Sequence, residues 1–146
     1  MPIKRTEHWA TRELDQYLRD HAKDEFRWGV QDCCLFAANS IEAMTGVDIA
    51  DDFRGKYNTQ AQAFALIKSL TGGATVADAA AHCATKHGLT EWSSPLLAQR
   101  GDLVVIQDGD QLIAGIVHLN GRHVISIGAG GLKRLSIRNV TRAWKV

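Results

Sequence analysis

Residues 26–38 read FRWGVQDCCLFAA, and the fold turns on the Asp32-Cys33 step inside them. Asp32 is a good helix N-cap, because a short carboxylate accepts from the backbone N–H groups that a first helical turn leaves unpaired. Behind it Cys33, Ala37, Ile41 and Met44 recur at the spacing of one helical face. Thr45-Gly46 ends the run, with glycine where helices close in a left-handed residue. Cys33 then opens the helix, where free N–H groups and the positive end of the helix dipole favour thiolate over thiol. A thiol hydrolase keeps its nucleophile in such a place, and a buried, inert cysteine fits the same residues. Cys34 falls on the adjoining face and reads as core. A disulfide between the two neighbours would strain the backbone. The question at Cys33 is whether the chain supplies a base.

Toward the N-terminus, Ala10, Leu14, Tyr17, Leu18 and His21 predict an amphipathic helix over roughly residues 6 to 21. Toward the C-terminus, Thr59-Gln60-Ala61-Gln62 is a capping box opening a helix through Phe64, Ile67 and Leu70, stopped by Gly72-Gly73. Thr75 caps a further helix that runs from Val76 to Lys86-His87 and stops at Gly88. After Pro95 the pattern changes to strands: Leu103 to Ile106, Leu112 to Leu119, Val124 to Ile127 and Leu132 to Ile137, with turns at Asp108-Gly109 and Asn120-Gly121. Gly128-Ala129-Gly130-Gly131 is a loop between strands, since neither a helix start nor Lys-Ser/Thr follows to make it a phosphate loop. Helices first and an antiparallel meander second predict one α+β domain over residues 1–146, N-terminal helices packed on a C-terminal sheet.

Composition narrows the function classes. At 146 residues, 45% apolar and 23% charged, the chain is of a size and make-up to bury a core of its own. A net charge of +1 gives no global field to recruit nucleic acid or an acidic membrane. Lys133, Arg134, Arg138, Arg142 and Lys145 form a basic run without an acidic residue, either a solvated edge or a docking surface for an acidic partner. MPIKRTEHWATRELD lacks the apolar core of a signal peptide and no run has transmembrane length, so synthesis in the cytoplasm is expected. Three cysteines, two of them adjacent, suit free thiols better than a disulfide framework.

Phe26-x-Trp28-Gly29 followed by Asp32-Cys33 resembles the nucleophile motif of the NlpC-type, papain-like cysteine peptidases. Arg100-Gly101-Asp102-Leu103-Val104-Val105 is similar to that family's Pro-Gly-Asp-Leu-Val entry into its first core strand. Ile113-Ala114-Gly115-Ile116-Val117 with Asn120-Gly121 resembles its His-Val-Gly-Ile-Tyr strand and hairpin. The whole sequence also looks like a small family encoded in bacteriophages and prophages beside tail-tip genes. The shared segments are residues 26–38, Arg54-Gly55-Lys56-Tyr57, residues 101–104 and Arg142-Ala143-Trp144-Lys145-Val146. The resemblance implies a papain-like α+β fold and a protein of the virion tail, made in the host cytoplasm. It implies other tail-tip proteins as partners, peptidoglycan as a possible one, and neither nucleic acid nor a membrane span.

The same resemblance exposes a departure. It puts Ile113 where the peptidases have their catalytic histidine, and an aliphatic residue near Ile125 where they have the polar residue that orients it. A thiol attacking an amide needs an acid to protonate the leaving amine, and isoleucine supplies none. His123 and His118 are the candidates for a replacement base: His123 shares the alternation of Ile125 but sits at the hairpin tip, and His118 points to the opposite face. His82, His87 and Cys83 make no metal-ligand spacing, and no metal or cofactor is expected. Trp28, Asp32, Arg54 and Tyr57 are the candidate cleft residues; the alternative for the last two is Tyr57 in the core and Arg54 paired with Asp51 or Asp52. Trp144 closes the core or a subunit contact. The expected function is a tail-tip or baseplate structural or assembly protein on a degenerate peptidase fold. The alternatives are a cysteine hydrolase of peptidoglycan stem peptides, with Cys33 as nucleophile, and a thiol-dependent binding or redox protein.

Overall fold

The computed structural model describes residues 3–146; Met1 and Pro2, the start of the segment read for a leader, lie outside them. The first helix starts later than its periodicity suggests. No side chain caps it at His8, and a π-helical turn over Trp9–Glu13 leads into α1 (Leu14–Asp20). The chain then runs to α2 (Cys33–Thr45), which Asp32 opens and Gly46 closes at φ 76°. α2 buries Leu35, Phe36, Ala37, Ile41 and Met44, so it is the central helix against which the rest packs. α3 (Gln60–Thr71) is capped by Thr59, but the Gln62 side chain reaches past the cap to the Asn58 N–H at 2.9 Å. The reciprocal capping box forms instead at α4 (Val76–Lys86), between Thr75 and Asp78.

The helices pack on a six-stranded sheet in which every pairing is antiparallel, an α+β fold. Its strands are β1 (Thr90–Glu91), β2 (Leu103–Asp108), β3 (Gln111–Val117), β4 (His123–Gly128), β5 (Gly131–Ser136) and β6 (Val140–Lys145). The order is β1-β6-β2-β3-β4-β5. β2 to β5 form the expected meander, and β6 departs from it by crossing back to lie between β1 and β2. Leu103 to Ile106 is buried throughout, which is why it reads as an unbroken apolar run and not as an alternation. Trp144 on β6 is core, 2% exposed. Arg142 stacks on that ring and forms a bidentate pair with Glu91, while Lys133 pairs with Asp108 at 2.6 Å, so part of the basic run is neutralised locally.

Two polar clusters fix the layers. Asp102, 1% exposed, accepts from Arg5 Nη2 and the Val146 N–H at one oxygen, and from Trp92 Nε1 and the Gln99 N–H at the other. The Gly-Asp step before β2 thus ties both ends of the described chain to the sheet. On the far side of the helices, Asp52 bonds His82 and Asp51 bonds His87, with Lys86 bridging both carboxylates. This holds α4 to the turn that follows α2. Among the described residues no helix is long and apolar enough to cross a membrane.

Candidate thiol site

Asp32 organises the site. It is 1% exposed, and its carboxylate accepts from the Leu35 N–H (3.0 Å), the Gly29 N–H (3.0 Å) and the Tyr57 hydroxyl (2.6 Å). One side chain therefore caps α2, holds the Trp28-Gly29 turn in place and anchors Tyr57 across the site. Gly29 has φ 80°, and a Cβ there would lie 2.1 Å from the Tyr57 carbonyl oxygen, so only glycine admits the approach. Burial, followed by the Asp32 charge, keeps Tyr57 protonated as a hydrogen-bond donor.

Cys33, Cys34 and Cys83 line one apolar cavity of about 50 Å³, between α2, α3, α4, the start of β2 and the middle of β3. Ala38, Ile49, Phe53, Phe64, Ile67 and Ala80 form most of its wall, and Trp28, Asp32 and Tyr57 stand at the Cys33 end. The three thiols are free, and among the described residues they belong to no cluster of three or more His, Cys, Asp or Glu able to hold a metal. Their chemistry differs. The Cys34 thiol donates to Cys33 and lowers its pKa; the backbone N–H groups of Ala114 and Cys34 act in the same direction, against burial and the Asp32 charge. Cys34 is pushed well up for the same reason, as the donor, and by burial. Burial, reinforced by Asp51, Asp52 and Asp48, pushes Cys83 up to about 12. Cys33 is the thiol this environment prepares for ionisation.

No imidazole accompanies it. His118 Nδ1 accepts from the Asn120 N–H, and His123 Nδ1 lies 3.0 Å from the Asn120 amide nitrogen, so both rings belong to the β3–β4 turn. Burial and then Arg134 lower the pKa of His118, which suits the neutral, accepting ring. The other four are engaged elsewhere: His82 and His87 at α4, His21 with Asp24 at 2.6 Å, and His8 beside Glu7. The strand position opposite Cys33 is also not the expected one. Ala114 lines the cavity, and alternation turns its neighbour Ile113 to the other face of β3. A methyl group stands where a base is needed.

Of the predicted cleft residues, Trp28, Asp32 and Tyr57 meet at Cys33 and Arg54 does not. Its guanidinium is held by Asp48 (2.8 and 3.0 Å) and Asn39 (2.7 Å), and Asp51 and Asp52, the partners considered for it, are taken by the α4 side chains. Sequence reading missed Cys83 and the walls from α3 and α4. Their only signal is apolar spacing, which marks a core face whether or not a gap is left in it.

The fold and site together define an α+β domain whose central helix opens with a buried, ionisable thiol over an apolar cavity. A family model, "Domain of unknown function (DUF6950)", matches residues 4–146, and the chain belongs to that family. No curated protein matches the sequence.

Proposed function

We propose that this protein is a structural or assembly component of a phage or prophage tail tip, built on a papain-like cysteine-peptidase fold that has lost its catalytic base. The observation that carries this reading is the placement of the six histidines, none of which faces Cys33. An N-capped cysteine at the start of a central helix, packed on an antiparallel sheet, agrees with the resemblance of residues 26–38 to the peptidase motif. The missing imidazole turns that resemblance away from amide hydrolysis, because the leaving amine would have to depart unprotonated. A cavity without a hydrolytic centre suits a domain retained for its shape and contacts.

Two measurements test the reading. Released muropeptides from purified peptidoglycan, assayed with the wild type and Cys33→Ser, should be indistinguishable; cleavage that depends on Cys33 would restore the hydrolase. In particles induced from a strain carrying the gene, the chain should co-purify with tails, and its deletion should give particles lacking complete tips. Normal, infective tails without the protein would overturn the assembly role.

A further inference from the structure

The cavity and its thiols fit a reaction that the missing base does not forbid. We infer that Cys33 is an acyl-carrying residue, which accepts a short aliphatic acyl group from an acyl thioester and holds it in the apolar cavity.

Leaving groups separate the two reactions. When Cys33 attacks an amide, nitrogen must be protonated as it leaves, and no acid stands ready. When it attacks a thioester, the Cys33 sulfur bonds to the acyl carbon, the carbon–sulfur bond of the donor breaks, and the electron pair leaves on the donor's sulfur. An ordinary thiol with a pKa of about 8.5 departs as thiolate without needing a proton. The exchange is thiolate for thiolate, with no oxidation or reduction and no general acid. The Cys34 thiol, and after it the N–H groups of Ala114 and Cys34, favour the Cys33 anion and are the activation it requires.

Volume sets the acyl group. At about 25 Å³ for each heavy atom, the room a buried apolar ligand such as benzene takes, about 50 Å³ holds about two to three heavy atoms, an acetyl group. The wall is aliphatic and aromatic, from Ala38, Ile49, Phe53, Ile67 and Ala80, so it favours hydrocarbon over a peptide or sugar. Half-buried Trp28, Cys34 and Phe64 mark the side on which the cavity meets solvent, where the donor's own chain would remain. Once transferred, the acyl group is stable, since hydrolysis needs an activated water and the same base that is missing. The inference shares only that missing base with the tail-tip reading and does not depend on the tail assignment.

Intact-mass and peptide-mass spectrometry after incubation with acetyl-, butyryl- or palmitoyl-coenzyme A tests it. Expected is one acetyl group on Cys33, formed several-fold faster than on the unfolded chain, where no donor favours its thiolate. It should be absent in Cys33→Ser and released by hydroxylamine. Ala80→Val, which narrows the cavity, should slow acetyl transfer, with thermal melting as the check on folding. Label confined to Cys34 or Cys83, or butyryl or palmitoyl transfer as fast as acetyl, would overturn the inference. So would no acylation, which leaves the missing-base reading intact. Free coenzyme A released over many turnovers would instead show a working hydrolytic base and overturn both.

Discussion

At the scale of single residues, the site is a division of labour among side chains, some of which local spacing marks and some of which only the fold brings in. Asp32 was legible as a cap, and Cys33 as a thiol at a helix start, because both follow from local backbone chemistry. The Tyr57–Asp32 bond was not, since it joins positions 25 residues apart and only the fold brings them together. Tyr57→Phe should cost about 1.5–3 kcal/mol, the range for a hydrogen bond to a charged group, read as a lower urea midpoint at unchanged slope. The thiols give a second test. Iodoacetamide alkylation of Cys33 rises as the thiol ionises, so its rate should turn upward at a lower pH than that of Cys34 or Cys83. Removing the donor in Cys34→Ala should move that inflection to higher pH, whereas His118→Ala and His123→Ala should leave it in place. A shift on removing either histidine would mean that an imidazole does reach the sulfur.

At the scale of elements, capping residues and stop glycines located α2, α3 and α4 closely, because each signal acts within one turn of the backbone it terminates. The two-residue β1 and the position of β6 lay beyond such signals, as strand order is set by long-range pairing and leaves no local mark. The α4 tether makes a pH prediction. Hydrogen bonds from His87 and then Lys86 lower Asp51 from the ordinary 3.8 to about 2. The folded state therefore binds this proton less readily than the unfolded chain, so the carboxylate stabilises above its ordinary pKa and loses that effect as pH falls toward 2. Asp51 is 45% exposed, so the effect is screened and small. The difference in melting temperature between wild type and Asp51→Asn should be present at pH 6, shrink below pH 4, and diminish with added salt. A difference that grows on acidification would contradict the assignment. β3 offers another test: a Cβ on Gly115 would lie 2.7 Å from the Ile125 carbonyl oxygen and from Val124 Cγ1, so Gly115→Ala should destabilise by about 1–3 kcal/mol through overpacking.

At the scale of the whole molecule, the α+β class was legible because helical periodicity gives way to β-branched runs at a single point in the chain. The cavity was not, since a gap in packing has no residue type of its own. Asp102 is the residue on which the global arrangement leans, and its motif position gave no hint that it gathers four donors, one each from the first and last segments and two from the stretch between β1 and β2. Asp102→Ala strands the part-buried Arg5 charge and should cost about 3–5 kcal/mol, the range for breaking one side of a buried pair. Arg5→Ala in the same background should add little further, because the pair is already broken. The place of β6 has its own consequence, one of timing. On the ribosome, β2 to β5 emerge before residues 140–145, so the fully apolar Leu103–Ile106 edge waits bare until the last strand arrives. Such an edge templates pairing with other chains. Nascent or truncated forms that stop before Val140 should therefore aggregate through β2, and their solubility should depend on chaperone supply in a way that the finished domain's does not.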